Sequence, residues 1–306
     1  MKMMMEMTRT VWAVNLDDWE SGFSQALEAD GCAPLTVSAY RQDVEIFRSW
    51  WQSEIGQDFS PDKLTNYDLH AFRRWQVEVC QVAASTWNRR RASLTRFCAW
   101  AQDCGWLTLN PLDGVQPMEK AALPPRWLER QEYARLMRQV EQNINAANTP
   151  LRRMRARRDA AMIALMVYAG LREFEVTSLQ AGDVEISERA GRVIIRRGKG
   201  GKEAVVPLSR EARRLITPWI DSQGSAGALF PLTTRMIQLR VAEIGSQAGV
   251  EELTPHRLRH TCAKRMLDAG VGLERVQAVM RHSSPQTTVR YGQPGWGDLT
   301  AAVEVI

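Results

Sequence analysis

The sequence predicts a mainly α-helical fold with one small antiparallel sheet, an α+β protein built from two domains. Three observations support this class. Apolar residues recur at helical spacing through most of the 306 residues. The apolar period changes to two between residues 182 and 209. A stretch rich in turn-forming residues interrupts the pattern near one third of the chain's length.

Four helices are predicted before residue 112. The first begins at Asn15, a good N-cap residue, and is followed by acidic residues in its first turn. Eight of the eleven tryptophans precede residue 107, mostly on the apolar faces of these helices, which favours a packed bundle over stacking on nucleic-acid bases. The predicted helices cover residues 15–30, about 35–51, 65–80 and 85–103.

The break after the fourth helix indicates a linker. Asn110-Pro111 and Pro124-Pro125 enclose further glycine and proline residues, which terminate regular structure. The predicted organisation is a leader (1–11), an N-terminal domain (12–112), a linker (113–126) and a C-terminal domain (127–306).

The second half is predicted to be helical around three short strands. The strands are the runs DVEIS, RVIIRRG and EAVVPLS, and the loop KGGK at residues 199–202 joins the last two as a hairpin. Helices are predicted at 129–146, 153–170, 210–222, 233–248, 257–269, 273–280 and 298–304.

Charge is distributed unevenly. Residues 1–112 contain 11 basic and 14 acidic side chains, whereas residues 113–306 contain 29 and 21. The basic residues comprise 34 arginines and only six lysines, a bias that suits bidentate binding of phosphate. The C-terminal half is therefore predicted to bind a polyanion.

Several classes are disfavoured by composition. The longest uncharged apolar run, 160–171, is too short to cross a bilayer, and the first residues lack the apolar core of a secretory signal. Five cysteines without a C-x-x-C pair disfavour a disulfide framework or a zinc ribbon. A cytoplasmic protein without a membrane partner is expected.

The candidate catalytic residues lie in the basic half. His256 and Arg259 stand three positions apart on one predicted helix, where an imidazole beside a guanidinium suits phosphoryl transfer. Arg172 stands at a junction between helices, and Lys199 and Lys202 lie in the glycine-rich hairpin loop. Each of these features alone has an ordinary explanation as a solvated surface residue.

The last candidates lie near the C-terminus. His282 precedes Tyr291 by nine residues in RHSSPQTTVRYG, and Tyr291 belongs to no apolar stripe. A phenol oxygen in such a segment can act as a covalent nucleophile.

Read in order, these motifs resemble those of the tyrosine recombinase (phage integrase) family, most of all its compact Xer-like members. The matching blocks are LTVSAYRQD (35–43), ASTWNRRRASLTRF (84–97), AGLREFEV (169–176), RGKGGKEAVVPL (197–208), TPHRLRHT (254–261) and RHSSPQTTVRY (281–291). The resemblance implies a helical SAM-like core-binding domain followed by a tyrosine-recombinase catalytic domain.

The resemblance also implies a reaction. Tyr291 would attack a DNA phosphate, while Arg172 and Arg259 would hold its oxygens and His282 would donate a hydrogen bond to it. Lys199 would protonate the leaving 5′-oxygen, and His256 would take the tyrosine proton. Glu175 would orient the catalytic side chains without contacting the DNA itself, and His260 would have a structural role. No cofactor or metal would be needed.

The implied partner is a double-stranded recombination site, bound by four protomers on two sites and processed through a Holliday junction, either by this chain alone or with a partner recombinase. DNA contacts are expected from Lys202 and from four arginines of the fourth helix, namely Arg89, Arg90, Arg91 and Arg96. One departure concerns the site directly, because Met280-Arg281 replace the usual Leu-Gly before His282.

Two rival functions remain open from the residues. A type IB topoisomerase would share the catalytic arrangement, and a DNA-binding regulator would occupy sites without cutting them. The target sequence and the biological role, whether dimer resolution, integration of a mobile element or transposition, do not follow from the sequence.

Overall fold

A computed structural model describes residues 16–119, 126–196, 203–223 and 227–281. The chain divides into two compact units, Met1–Ala122 and Leu123–Ile306. The described part is mainly helical with one three-stranded antiparallel sheet, which confirms the predicted fold class. None of its helices is both long enough and apolar enough to span a membrane.

The first unit is built from four α-helices. They are α1 (Trp19–Ala29), α2 (Pro34–Ile55), α3 (Asn66–Arg74) and α4 (Ala84–Asp103). Helix α3 begins at a capping box in which Thr65 and Asp68 bond each other's backbone N–H groups, and it continues as a π-helical turn at Trp75–Val79. This explains why the sequence predicts one helix over 65–80.

Aromatic side chains fill the core of this unit. Phe47 packs edge-on against Phe59 and Phe72, with ring centroids 5.5 and 5.0 Å apart. Such edge-to-face pairs stabilise a core beyond the area that they bury. Val115, which the sequence assigns to the linker, is fully buried in the same core. The bundle therefore holds the chain beyond residue 112.

The second unit surrounds one buried helix. Its helices are α5 (Arg130–Asn145), α6 (Pro150–Tyr168), α7 (Glu173–Ser178), α8 (Arg210–Ile220), α9 (Thr234–Gln247), α10 (Pro255–Asp268) and α11 (Leu273–Met280). All residues from Ala160 to Val167 in α6 are buried, and α6 packs against α5, α8 and α10. This half of α6 is apolar on all sides and belongs in the interior, whereas its arginine-rich first half, 150–158, is largely exposed.

The sheet consists of β1 (Val184–Ile186), β2 (Gly191–Ile195) and β3 (Ala204–Pro207) in the order β1-β2-β3. Val193 of the central strand pairs with Val184 on one side and Val206 on the other, and all three face the core. The hairpin prediction therefore has the right strands, while its loop at 197–202 lies outside the described residues.

Candidate active site

The junction between α6 and α7 places Arg172. Gly170 adopts a left-handed backbone conformation (φ +61°), and a Cβ atom there would lie 2.7 Å from the sulfur of Met280. A glycine is thus required both by the turn and by the close approach of α11. Arg172 follows as the N-cap of α7, with its side chain 15% exposed.

Glu175 fixes the direction of Arg172. The backbone N–H of Arg172 donates to Oε2 of Glu175 over 2.8 Å, and its Nη1 donates to Oε1 over 2.9 Å. The carboxylate has no solvent exposure. Burial raises its pKa, but the charge of Arg281, the charge of Arg172 and their hydrogen bonds outweigh burial and hold the pKa below the usual value.

Arg259 reaches the same junction from α10. This helix begins with Thr254 as N-cap and Pro255 in its first turn, a local signal for a helix start. Arg259 is 4% exposed. Its Nη1 donates to the carbonyl of Gly170 and its Nη2 donates to the carbonyl of Met280. Arg259 therefore joins α10 to the end of α6 and the end of α11.

The end of α11 completes this arrangement. Nη2 of Arg172 donates to the carbonyl of Arg281 over 3.1 Å, so both catalytic-candidate arginines bond the last turn of α11. The side chain of Arg281 turns back to Glu175, with 2.7 Å between Nη2 and Oε2. Arg172 and Arg281 thus bond one buried carboxylate, and with Arg259 they bond four backbone carbonyls, those of Gly170, Val279, Met280 and Arg281.

The two histidines of α10 differ in environment. His256 is exposed, whereas His260 is partly buried. Their ring centroids lie 6.3 Å apart. Burial, followed by the charges of His256 and Arg259, lowers the pKa of His260 to about 4. His260 is consequently neutral near pH 7, in keeping with the structural role expected of it.

The structure thus brings together Arg172, Glu175 and Arg259, and it places His256 on the same helix as Arg259. Four other predicted site residues, Lys199, Lys202, His282 and Tyr291, lie outside the described residues. Sequence reasoning did not foresee the acceptor carbonyls of Gly170 and Met280, because a backbone oxygen carries no residue-type signal.

The arginines of α4 all bond partners inside their own unit. Arg89 pairs with the buried carboxylate of Asp43, and Arg90 donates to Gln76. Arg91 donates to the carbonyl of Val115 over 2.6 Å, and Arg96 pairs with Asp30. The side chains of Arg89 and Arg96 are 48% and 44% exposed. Arg90 is only 16% exposed and has a largely structural environment.

Comparison with known proteins gives the same division of the chain. Residues 126–295, more than half of the sequence, match the model of the phage integrase family. Residues 21–105 match the model of the phage integrase N-terminal SAM-like domain.

Curated relatives align over most of their length. A tyrosine recombinase XerC from Chromohalobacter salexigens is 30% identical over 286 residues, covering 89% of this chain and 90% of that protein. A tyrosine recombinase XerD from Ralstonia nicotianae is 31% identical over 278 residues, covering 86% and 84%.

Solved structures share the fold. A XerH site-specific recombinase bound to a palindromic difH substrate superposes with a TM-score of 0.72 at 19% identity, covering 94% of this chain and 84% of that one. A lambda integrase dimer on a core site gives 0.68 at 16% identity, covering 92% and 79%. From the family models and the curated relatives together, the chain belongs to the phage integrase family and is a tyrosine recombinase of the Xer type.

Proposed function

We propose that this protein is a site-specific DNA recombinase that cleaves and rejoins DNA through a 3′-phosphotyrosyl intermediate. The observation that carries the proposal is the convergence of Arg172 and Arg259. Although 87 positions apart, their side chains bond the same two segments, the α6–α7 junction and the last turn of α11. That turn immediately precedes His282 in the chain.

Two arginines at this place suit a phosphate under attack. Guanidinium groups present parallel N–H donors that match the non-bridging oxygens of a phosphodiester. Their charge stabilises the extra negative charge of the pentacoordinate transition state, and their hydrogen bonds to protein acceptors fix them before the reaction begins. Arg172 and Arg259 are therefore assigned to the phosphate oxygens.

Tyr291, Lys199, His256 and His282 complete the proposed reaction. The Tyr291 oxygen forms a bond to phosphorus while the bond from phosphorus to the 5′-oxygen breaks. His256 accepts the phenol proton and Lys199 supplies a proton to the leaving 5′-oxygen, while His282 donates a hydrogen bond to the phosphate. Rejoining reverses these steps with a new 5′-hydroxyl, so the bond energy is conserved and no nucleotide cofactor is required.

The proposed partner is a double-stranded recombination site, occupied by four protomers on two sites that pass through a Holliday junction. A second recombinase acting with this chain fits the same scheme. Among the α4 arginines, Arg89 and Arg96 are the better candidates for phosphate contacts, because nearly half of each side chain is exposed. Arg90 and Arg91 of α4 and, separately, Lys202 of the hairpin loop are further proposed contacts.

The test is trapping of the covalent intermediate. Duplexes that the full chain binds are first selected from a random DNA library. A nick is then placed just downstream of the candidate cleavage position, so that the short fragment released with the free 5′-hydroxyl diffuses away. Wild-type protein in EDTA should give a labelled adduct that survives denaturation, and Tyr291→Phe should give none.

Tyr67→Phe is the matched control, because Tyr67 is an 80% exposed tyrosine of the first unit and also loses only a hydroxyl. Its adduct yield should equal that of the wild type. Tight, selective binding without an adduct would instead support a DNA-binding regulator. Relaxation of supercoiled DNA without exchange between two sites would support the type IB topoisomerase alternative.

A further inference from the structure

Arg281 has an unusual backbone conformation for its residue type. It ends α11 with φ +52° and ψ +46°, and it is one of three non-glycine residues with positive φ in the described part of the chain. Glycine is the common residue at such a helix end, because a Cβ atom destabilises the left-handed conformation. A non-glycine residue persists there only when its surroundings hold it.

Hydrogen bonds from the Arg281 side chain stabilise this left-handed conformation. Its Nη1 donates to the carbonyl of Val279 over 2.8 Å. Its Nη2 donates to Glu175 over 2.7 Å and to the carbonyl of Gly170 over 3.2 Å. Only 12% of the side chain is exposed. Both Nη groups are therefore directed into the protein, at acceptors that belong to the α6–α7 junction and α11.

Arg281 acts on Arg172 by two routes. Its backbone carbonyl accepts directly from Nη2 of Arg172, and its guanidinium binds the second oxygen of the carboxylate that holds Nη1 of Arg172. Oε2 of Glu175 also accepts the backbone N–H of Arg172, so Arg281 adds a second donor to this oxygen and further opposes rotation of the carboxylate away from Arg172. The position of Arg172 is thus determined by Glu175 and Arg281 together.

The net charge of these side chains also supports a role for Arg281 in the function of Arg172. A buried Glu175 alone would neutralise Arg172, whereas the three side chains of Arg172, Glu175 and Arg281 together carry one net positive charge. Arg281 is also the largest influence that lowers the pKa of Glu175 against the effect of burial. A carboxylate kept ionised continues to accept both hydrogen bonds from Arg172 as the pH falls.

We propose that Arg281 is a positioning residue for DNA cleavage, which locks Glu175 so that Arg172 is held in place and keeps a positive charge available for the scissile phosphate. The proposal rests on the proposed recombinase function. It assigns no contact with DNA to Arg281, whose hydrogen bonds to Glu175, Gly170 and Val279 hold the α6–α7 junction to the end of α11.

The test compares wild type, Arg281→Gly, Glu175→Gln and the double variant in single-turnover cleavage of nicked DNA at saturating protein, from pH 4 to 8. Arg281→Gly should cleave about tenfold more slowly at pH 7, while its Kd for the same DNA changes by no more than about twofold. The decline of its rate toward acid should begin at a higher pH than in the wild type, because Glu175 then lacks the Arg281 charge that lowers its pKa against burial.

The Glu175→Gln background isolates the cause of that shift. The charged groups that bond Glu175 are Arg172, from the α6–α7 junction, and Arg281, from the end of α11; neither guanidinium titrates in this range. His260 on α10, whose pKa burial lowers to about 4, is unchanged in all four proteins. The double variant should therefore lose cleavage rate toward acid over the same pH range as Glu175→Gln alone. Arg281→Lys, which restores a charge, should recover part of the rate.

A merely structural role would give a different pattern. Glycine suits the left-handed conformation, so Arg281→Gly should unfold within about 4 °C of the wild type. Arg214→Ala, which removes an exposed ion-paired arginine of α8, should match the wild type in cleavage rate and pH profile.

An active wild type together with an Arg281→Gly variant of unchanged rate and unchanged pH profile would overturn the inference alone. An acid shift that persists at full size in the Glu175→Gln background would also overturn it. A wild type that forms no Tyr291-dependent adduct would overturn the proposed function, and the cleavage role of Arg281 with it.

Discussion

Replacing Gly170 by alanine tests the geometry of the α6–α7 junction. The new Cβ would have to tolerate φ +61° and would lie 2.7 Å from the Met280 sulfur, 3.4 Å from its Cε and 3.5 Å from the Cys262 sulfur. The left-handed backbone costs about 1–2 kcal/mol for a residue with a Cβ. The contact with Met280, a buried but flexible side chain, adds about 1–2 kcal/mol. We therefore expect a loss of about 2–4 kcal/mol in the free energy of unfolding.

A second glycine separates the two contributions. Gly249 has nearly the same φ, +63°, but a Cβ there would have no atom within 4 Å. Gly249→Ala should thus lose only the backbone part, about 1–2 kcal/mol. Urea unfolding followed by fluorescence and circular dichroism measures both variants under the same conditions.

Cleavage provides the second readout for Gly170→Ala. The Gly170 carbonyl accepts from Arg259 and from Arg281, so displacement of this backbone should slow adduct formation by more than about tenfold. Gly249→Ala should cleave at the wild-type rate. Equal stability losses for the two variants, with equal cleavage rates, would refute the close-packing argument.

Three further predictions concern buried ionisable groups. Asp43→Asn should destabilise the first unit by about 2–4 kcal/mol in urea unfolding, because the fully buried carboxylate accepts hydrogen bonds from Arg89 and Ser93. Asp30→Asn is the control; it changes an exposed ion pair and should cost less than about 1 kcal/mol. The wild type should lose up to about 2 kcal/mol of stability as the pH falls from about 6.5 to about 4, because unfolding lets His260 bind a proton that its lowered pKa excludes in the folded state. In His260→Asn the free energy of unfolding should depend less on pH over this range, and an unchanged slope would contradict the assignment. Burial raises the pKa of Cys98 to about 12 and that of Cys262 to about 11, so a thiol reagent at pH 8 should modify exposed Cys80 and leave both until the protein is unfolded.

The fold was predictable where the signal is local. The helices, the three strands and their hairpin follow from apolar period and turn residues. Three helix starts differ by more than one residue. Helix α1 begins at Trp19, after a 3₁₀ turn at Leu16–Asp18, rather than at 15. Helices α6 and α10 begin at Pro150 and Pro255 rather than at 153 and 257. In both cases a threonine N-cap followed by proline marks the start, a signal stronger than the apolar period used to place it.

The candidate site was predictable in residue type but not in geometry. The order of motifs identifies Arg172 and Arg259, yet their common acceptors are backbone carbonyls that only the tertiary fold brings together. For the α4 arginines, the sequence indicates a function but does not show their partners within the protein. Their cluster indicates nucleic-acid binding, but Asp43, which engages Arg89, lies 46 positions earlier, beyond the reach of any local pattern.

The bonds of Arg259 to Gly170 and Met280 have a consequence for the working lifetime of the protein. Native proteins open in parts, and a short element with few long-range contacts opens at a lower free energy than the whole domain. If the eight residues of α11 detach, Arg259 and Arg172 each lose an acceptor at once, while α6 and α8 stay packed. On warming, cleavage activity should therefore be lost before the cooperative loss of secondary structure. Amide hydrogen exchange in α11, rather than the global melting temperature, should report how long the protein stays active.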